Sequence, residues 1–600
     1  MKRIILVSLF LIFICRLLAG SDHKLVILHT NDLHSRLNGF APESTYTPLV
    51  TNNDKTEGGF ARIAGIIRDE RTKSGSDLLV VDAGDFMMGT LFPGIESKTG
   101  FQLRLMKKMG YDAVGLGNHE FDFGPEWLAK VISKSVATGE IPAVLSGNTV
   151  QGNNEIGAQN FFRLIEKGTI SRHIIIEKGG LRIGVFSIIG EDAAGVAPNA
   201  KPVRFANQVS TAREQVAELK AEKCDLIIML SHSGVVKTED GQWGGEDVVL
   251  AKKVKGLNLI IGGHTHTKLE KPVIVNGVQI VQAGEFGKYV GKMSLSIGNG
   301  SVKVDDYCLI PVDDKVMGVE EISRQIEEQK EKLSSEILHP LGLEYSEPVA
   351  ESSFLIEGNA TENFADSNLG PLVADAINYF INKNSSAGSD VSIVAAGMLF
   401  DRILPGVQSA PDLFRVVPLG SGKDSIPGYP LARVYVTGKE LKSILEILQI
   451  AYKKSPDNYC YFSGIKAEYD PKRGFLKKIL KLEIIHPDGS ITLVSFSRKD
   501  KKLYSITADS YMLQFIGILK KMSFGLINVV PKNSDGTKIS DMNDMVIDIN
   551  ENAPGVQQGK EWLALISYLK SMNDLNGNSI PDIDPKYSAP VRTFIFTGAR

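Results

Sequence analysis

The sequence predicts a two-domain α/β protein whose first half is a sandwich of mostly parallel strands, with a charged helix joining the halves. Three observations carry that expectation. Apolar runs at 25–28, 78–81, 113–116, 183–189, 226–230 and 259–261 alternate with amphipathic stretches such as 60–70 and 209–222, the pattern of strands covered by crossover helices. Around 316–343 the character changes to a charged helical run, acidic at Glu320 and Glu321, basic at Lys330 and Lys332, and closed by His339-Pro340, the charge order that a helix dipole favours. A chain of 600 residues also exceeds what one hydrophobic core supports. The expected segments are an export signal at 1–20, a first domain at 24–312, a connecting helix at 316–343 and a second domain at 345–600.

Each element has a local reason. Lys2 and Arg3 precede an apolar run at 4–15 broken only by Ser8, and Ala19-Gly20-Ser21 offers a small-residue exit. That is the three-part form of a secretory signal, too short for a comfortable membrane span, so the expected location is periplasmic or secreted, with an uncleaved anchor left open. Cys15 follows Ile14 where lipidation would want a small residue, and no apolar tail precedes Arg600. The remaining Cys224, Cys308 and Cys460 allow at most one bridge, so packing must hold the mature chain. In the second domain the run at 391–394 reads as a strand, and 369–380 and 438–450 read as helices. A net charge of -3 with no basic run argues against a nucleic-acid polymer as partner.

The first domain carries its chemistry at strand ends, where open α/β sheets place their reactive groups. The run 113–116 ends at Gly117, and Asn118, His119 and Asp122 follow it. Asp32 and His34 follow the first run, Asp85 the second, His232 the fifth, and His264 and His266 the sixth. Any one of these reads most simply as a hydrogen-bonded loop residue. Five strand ends bearing donors together read as a metal centre. Seven ligands exceed one tetrahedral site, so two cations are expected, and mixed nitrogen and oxygen donors suit Zn, Mn, Fe or Ni better than Ca. Paired cations suit phosphoryl transfer to a hydroxide held between them. His119 is then free to stabilise the transition state or protonate the leaving oxygen, with Asp122 holding its ring.

The ordered set Asp32-x-His34, Gly84-Asp85, Gly117-Asn118-His119-Glu120, Ser231-His232 and Gly263-His264-x-His266 resembles the calcineurin-like metallophosphoesterases. With the export signal and the second domain, the chain is similar to the exported 5'-nucleotidases, a family that includes UDP-sugar hydrolases and 2',3'-cyclic-nucleotide phosphodiesterases. The resemblance implies a four-layer α/β/β/α sandwich, then the helix, then an α/β domain that supplies the substrate clamp. It implies one metal on Asp32, His34 and His266, a second on Asn118, His232 and His264, a bridging Asp85, and His119 with Asp122 as the catalytic pair. The implied activity is hydrolysis of a small phosphoester, a 5'-nucleotide above all. The alternatives are a non-nucleotide phosphoester, or a metal-binding recognition protein with little activity.

The second domain departs from the family where it would hold substrate. Asn363 and Ala365 stand where arginines are expected, and Ala395-Ala396-Gly397-Met398-Leu399-Phe400 stands for Asn-Gly-Gly-Gly-Ile-Arg. Leu419 and Leu519 replace the base-stacking phenylalanines. Phe400, Leu419 and Leu519 are therefore expected to line an apolar pocket that discriminates weakly among bases, because guanidinium forks and aromatic sandwiches are not replaced by aliphatic carbon. Arg402, Arg415 and Lys423 are candidate substitute cations. Asp574, Asn576, Asn578 and Asp582 suggest either a Ca²⁺ loop or an Asn-Gly turn, and the turn is favoured. His23, His29, His173, His339 and His486 read as ordinary surface or strand residues.

Overall fold

The computed structural model describes residues 23–39, 42–152, 156–298, 300–358, 367–451, 453, 456–514 and 529–596. They form two compact units. One holds the described residues up to 39 with Tyr46–Met88 and Ile95–Gln329; the other holds the chain from Lys330 together with Gly89–Gly94 and the short stretch 42–45.

The first unit is built on two sheets. A seven-stranded sheet runs Ser301–Pro311, Tyr289–Gly298, His23–Thr30, Leu78–Asp82, Ala113–Gly115, Ala143–Leu145 and Ile170–Ser171. A six-stranded sheet runs Val273–Val275, Val278–Val281, Leu259–Gly262, Leu226–His232, Leu181–Ile189 and His173–Lys178. The central strands of each are parallel, with Thr30 opposite Asp82 and Ser231 opposite Gly262. Leu78–Asp82 and Leu226–His232 are buried throughout, which explains their unbroken apolar runs: both faces of a central parallel strand are covered.

The core between the sheets takes Leu25, Ile27, Leu79 and Val81 from one and Ile183, Val185, Ile228 and Ile261 from the other. The outer face of the second sheet packs Phe186, Met229 and Ile260 against Val216, Leu219, Val248 and Leu250 of the helices Gln208–Ala221 and Glu246–Lys253. The helix Phe60–Ser74 is buried on every side from Phe60 to Ile67 and meets solvent only in its later turns, from Arg68 on. The result is the expected four-layer α/β/β/α arrangement.

The connecting segment differs from the single helix expected over 316–343. The α-helix is Glu320–Leu333, followed by a π turn at Ser334–Leu338, where the His339 N–H reaches back to Ser334 O, and a 3-10 turn at His339–Leu341. Pro340 is the physical reason: it has no N–H for a bond to the residue four back, and its ring displaces that turn.

In the second unit Leu431–Thr437, Leu503–Asp509, Val391–Ala395 and Cys460–Ser463 form one four-stranded sheet. Ile491–Leu493, Ile479–Ile485, Ile465–Tyr469 and Phe594–Phe596 form another. Their shared core includes Val391, Val434, Phe462, Leu482 and Ile506 with Leu441 and Leu445 of the helix Gly438–Ala451. The helices Leu369–Asn384 and Glu561–Leu569 pack together beside the first of these sheets.

Candidate dimetal active site

Because the central strands of both sheets run the same way, their carboxyl ends meet along one edge of the first unit. Two ladders fix the loops there. Asp32 N donates to Gly84 O, His34 N to Asp85 O and Ser35 N to Phe86 O, each at 2.9 Å, so the first loop lies along the second. Glu120 accepts from three backbone amides, Asp85 N, Met87 N and Gly117 N, at 3.0, 2.9 and 2.6 Å. Asp32, His34, Asp85, His264 and His266 all sit at positive φ, between 49° and 72°. Such backbone is uncommon away from glycine and persists where surrounding bonds over-determine it.

Two donor groups result. Asp32, His34 and His266 each offer an atom within 4.8 Å of the others, and so do Asp85, His232 and His264. In the first group His34 Nε2 lies 3.1 Å from His266 Nε2, and Asp32 Oδ1 lies 3.8 Å from the same nitrogen. In the second, His232 Nε2 lies 2.9 Å from Asp85 Oδ2 and 3.1 Å from Asn118 Oδ1. His232 Nδ1 faces the Ala83 carbonyl at 3.0 Å, which directs the Nε2 lone pair inward. Converging imidazole nitrogens and carboxylate oxygens fit two divalent cations.

Charge reinforces the fit. Burial alone would raise the Asp85 carboxyl, but His232 and His119 hold it well below the usual carboxylate range. Burial pushes Asp32 up despite His266 and His232. Burial would lower His119, yet Asp122 and Asp85 prevail and raise it to about 9. His119 is tied at both ends, its backbone N–H donating to Asp85 Oδ1 at 2.8 Å and its ring Nδ1 lying 2.9 Å from Asp122 Oδ2.

All nine residues named for metal and catalysis lie at this edge. The candidate substrate residues come from the second half of the chain. Phe400 and Leu419 are half-buried in the second unit, and Leu519 lies outside the described residues, as do Asn363 and Ala365. Arg415 is no spare cation: it is buried with Nη2 2.7 Å from Asp412 and Nε 3.5 Å from Asp401. At 574–582 the side-chain oxygens accept backbone amides, Asp574 from Gly577 and Ser579, Asn576 from Asn578, and Asn578 from Ile580, bonds common to Asn-Gly turns and to cation loops. Two carboxylates at the site were missed by the sequence reading. Asp192 Oδ2 is 3.2 Å from His264 Nε2, and Glu285 Oε2 is 2.8 Å from His266 Nδ1. Both follow carboxyl ends of strands, so the rule that found the ligands could have found them.

The sandwich with paired donor groups at its strand ends is that of a calcineurin-like phosphoesterase, the family that residues 25–268 match. Residues 348–517 match the 5'-nucleotidase C-terminal domain. The chain belongs to the 5'-nucleotidase family of two-domain phosphoesterases, hydrolases acting on phosphoester bonds. It is 26% identical over 493 residues to the trifunctional nucleotide phosphoesterase YfkN of Bacillus subtilis, spanning 78% of this chain but only 30% of that longer protein. Against the 5'-nucleotidase of Bos taurus it is 26% identical over 525 residues, 82% of this chain and 84% of that one. The 5'-nucleotidase precursor of Thermus thermophilus shares the fold with a TM-score of 0.66 at 20% identity, over 96% of this chain and 100% of that one. No helix among the described residues is long and apolar enough to cross a membrane.

Proposed function

We propose that the chain is an exported nucleotide phosphoesterase, a 5'-nucleotidase or a near relative. In this reading Asp32, His34 and His266 would hold one divalent cation of the Zn or Mn kind, Asn118, His232 and His264 would hold a second, and Asp85 would serve both. The observation that carries it is the convergence of two donor groups beside an imidazole already braced by a carboxylate. When bound, two such cations activate a water and neutralise phosphoryl charge. The chain's own residues do the rest. Glu120 keeps the Asp85 and Gly117 backbone fixed. Asp122 holds His119 by Nδ1, so that Nε2 carries the proton toward the phosphoryl group or the leaving oxygen.

Phe400 and Leu419 in the second unit support a clamp that binds through area rather than base stacking, which also favours a non-nucleotide phosphoester as the second reading. Export is supported by the signal-like run at 4–15. Purified protein loaded with Mn²⁺ or Zn²⁺ should hydrolyse members of a panel of nucleoside monophosphates, cyclic nucleotides, nucleotide sugars and an aryl phosphate. Absence of metal-dependent turnover on every member would overturn the reading. A kcat/KM for AMP no more than about tenfold above that for the aryl phosphate is the expected outcome, whereas a hundredfold preference, about 2.7 kcal/mol, would reveal a stacking clamp.

A further inference from the structure

We propose that Asp192 and Glu285 are positioning residues, one for each metal group, and that each sets which ring nitrogen its histidine presents to its cation. The proposal rests on the dimetal reading above. His264 and His266 stand two residues apart, both in left-handed backbone, yet they engage carboxylates through opposite nitrogens: His264 through Nε2, to Asp192, and His266 through Nδ1, to Glu285. A carboxylate accepting one ring N–H leaves the lone pair on the other nitrogen, so His264 offers Nδ1 and His266 offers Nε2.

The carriers of the two carboxylates are built alike. Gly190, two residues before Asp192, donates its N–H to His232 O at 2.9 Å, and His232 is a member of the same donor group as His264. Phe286, next to Glu285, donates its N–H to Asp32 O at 2.7 Å, and Asp32 is in the group of His266. Each carboxylate therefore rides on a segment already bonded to another ligand of the group it serves. Glu246 fixes the Asp192 segment, accepting Glu191 N at 3.0 Å and Asp192 N at 3.2 Å, and it leaves no room at Gly190, where a Cβ would come within 2.1 Å of Glu246 Oε2. Lys288 fixes Glu285 through its second oxygen at 2.8 Å.

The test measures metal binding on the full chain by chelator competition with Mn²⁺ or Co²⁺, alongside the cobalt absorption bands. Wild type should take two equivalents. Asp192→Asn should weaken one of them about tenfold, the low end for an outer carboxylate because Asp192 is largely exposed, and leave the other within about threefold. Glu285→Gln should weaken the other equivalent, and each variant should shift the cobalt bands of one site. In a His264→Ala background, Asp192→Asn should have no effect on the remaining metal while Glu285→Gln still does. Two equivalents bound with unchanged affinity and unchanged bands in both single variants would overturn the positioning role. Fewer than two equivalents in wild type would instead overturn the dimetal reading beneath it.

Discussion

The ring of His119 meets the carboxylate of Asp122 at 2.9 Å, three residues apart on a short 3-10 turn that begins directly after Asn118. The pair is braced without either side chain being spent on the donor groups. His119→Ala should therefore lower kcat about a hundred- to ten-thousandfold while both metals stay bound. Asp122→Asn should cost less, because the ring loses its charge partner but keeps a hydrogen-bond acceptor. Single-turnover rates with parallel metal analysis check this, and near-normal turnover in metal-replete His119→Ala would remove the residue from the mechanism.

Gly117 is a packing position. A Cβ there would come 2.3 Å from Asp85 Oδ1 and 2.8 Å from His232 Cε1, so Gly117→Ala must push the bridging candidate aside. The expected result is loss of at least one metal equivalent and of most activity, with the fold retained by far-ultraviolet circular dichroism. A variant that keeps two metals and full turnover would mean that the loop yields more freely than the bond from Gly117 N to Glu120 suggests.

His29 is fully buried, and among the described residues neither ring nitrogen has a hydrogen-bond partner; the ring stacks on Tyr307 with centroids 6.0 Å apart. Burial lowers its pKa from 6.5 to about 3. The unfolded chain binds a proton below pH 6.5 that the folded chain refuses until about pH 3, so stability is full above 6.5 and is lost as pH falls through that window. The loss reaches roughly 5 kcal/mol at the acid end. His29→Phe should flatten the dependence between pH 6 and 4 in urea titrations, and an unchanged slope would show that other groups set the acid limit.

Arg415 lies between Asp412 and Asp401, and Asp412 also closes the cap at Ser409, accepting its N–H at 2.9 Å. Removing the guanidinium leaves buried carboxylates without their cation. Arg415→Ala should destabilise the protein by about 3–5 kcal/mol while the folded fraction keeps its KM. A raised KM with unchanged unfolding midpoint would instead make Arg415 a substrate contact.

Much of the fold was legible because central parallel strands are buried on both faces, so the apolar runs at 78–81, 183–189 and 226–230 mark strands that the structure places within a few residues of those bounds. The edge strand Ser301–Pro311 is largely exposed or half-buried and carries polar residues, and its antiparallel neighbour Tyr289–Gly298 mixes buried with half-buried positions, so neither gave a comparable signal. The donors were legible because Asp, Asn and His cluster after those strand ends. Asp192 and Glu285 also follow strand ends, but their pairing with an imidazole is not written in the sequence; for Asp192 the partner lies more than 70 residues away. His29 read as an ordinary strand residue because the sequence does not show that Gly291 opposes it and opens the space its ring fills.

The left-handed backbone at Asp32, His34, Asp85, His264 and His266 bears on how such a centre is inherited. Aspartate and histidine are among the few residues with side chains that tolerate this conformation, so chemistry and backbone select the same letters. A valine or threonine would be rejected on steric grounds even if no metal were needed. The centre therefore travels as whole turns rather than as single donors. Grafting these five side chains onto straight strand ends of another sandwich would scatter them, whereas moving the loops 31–36, 82–86 and 262–267 intact would carry their geometry with them.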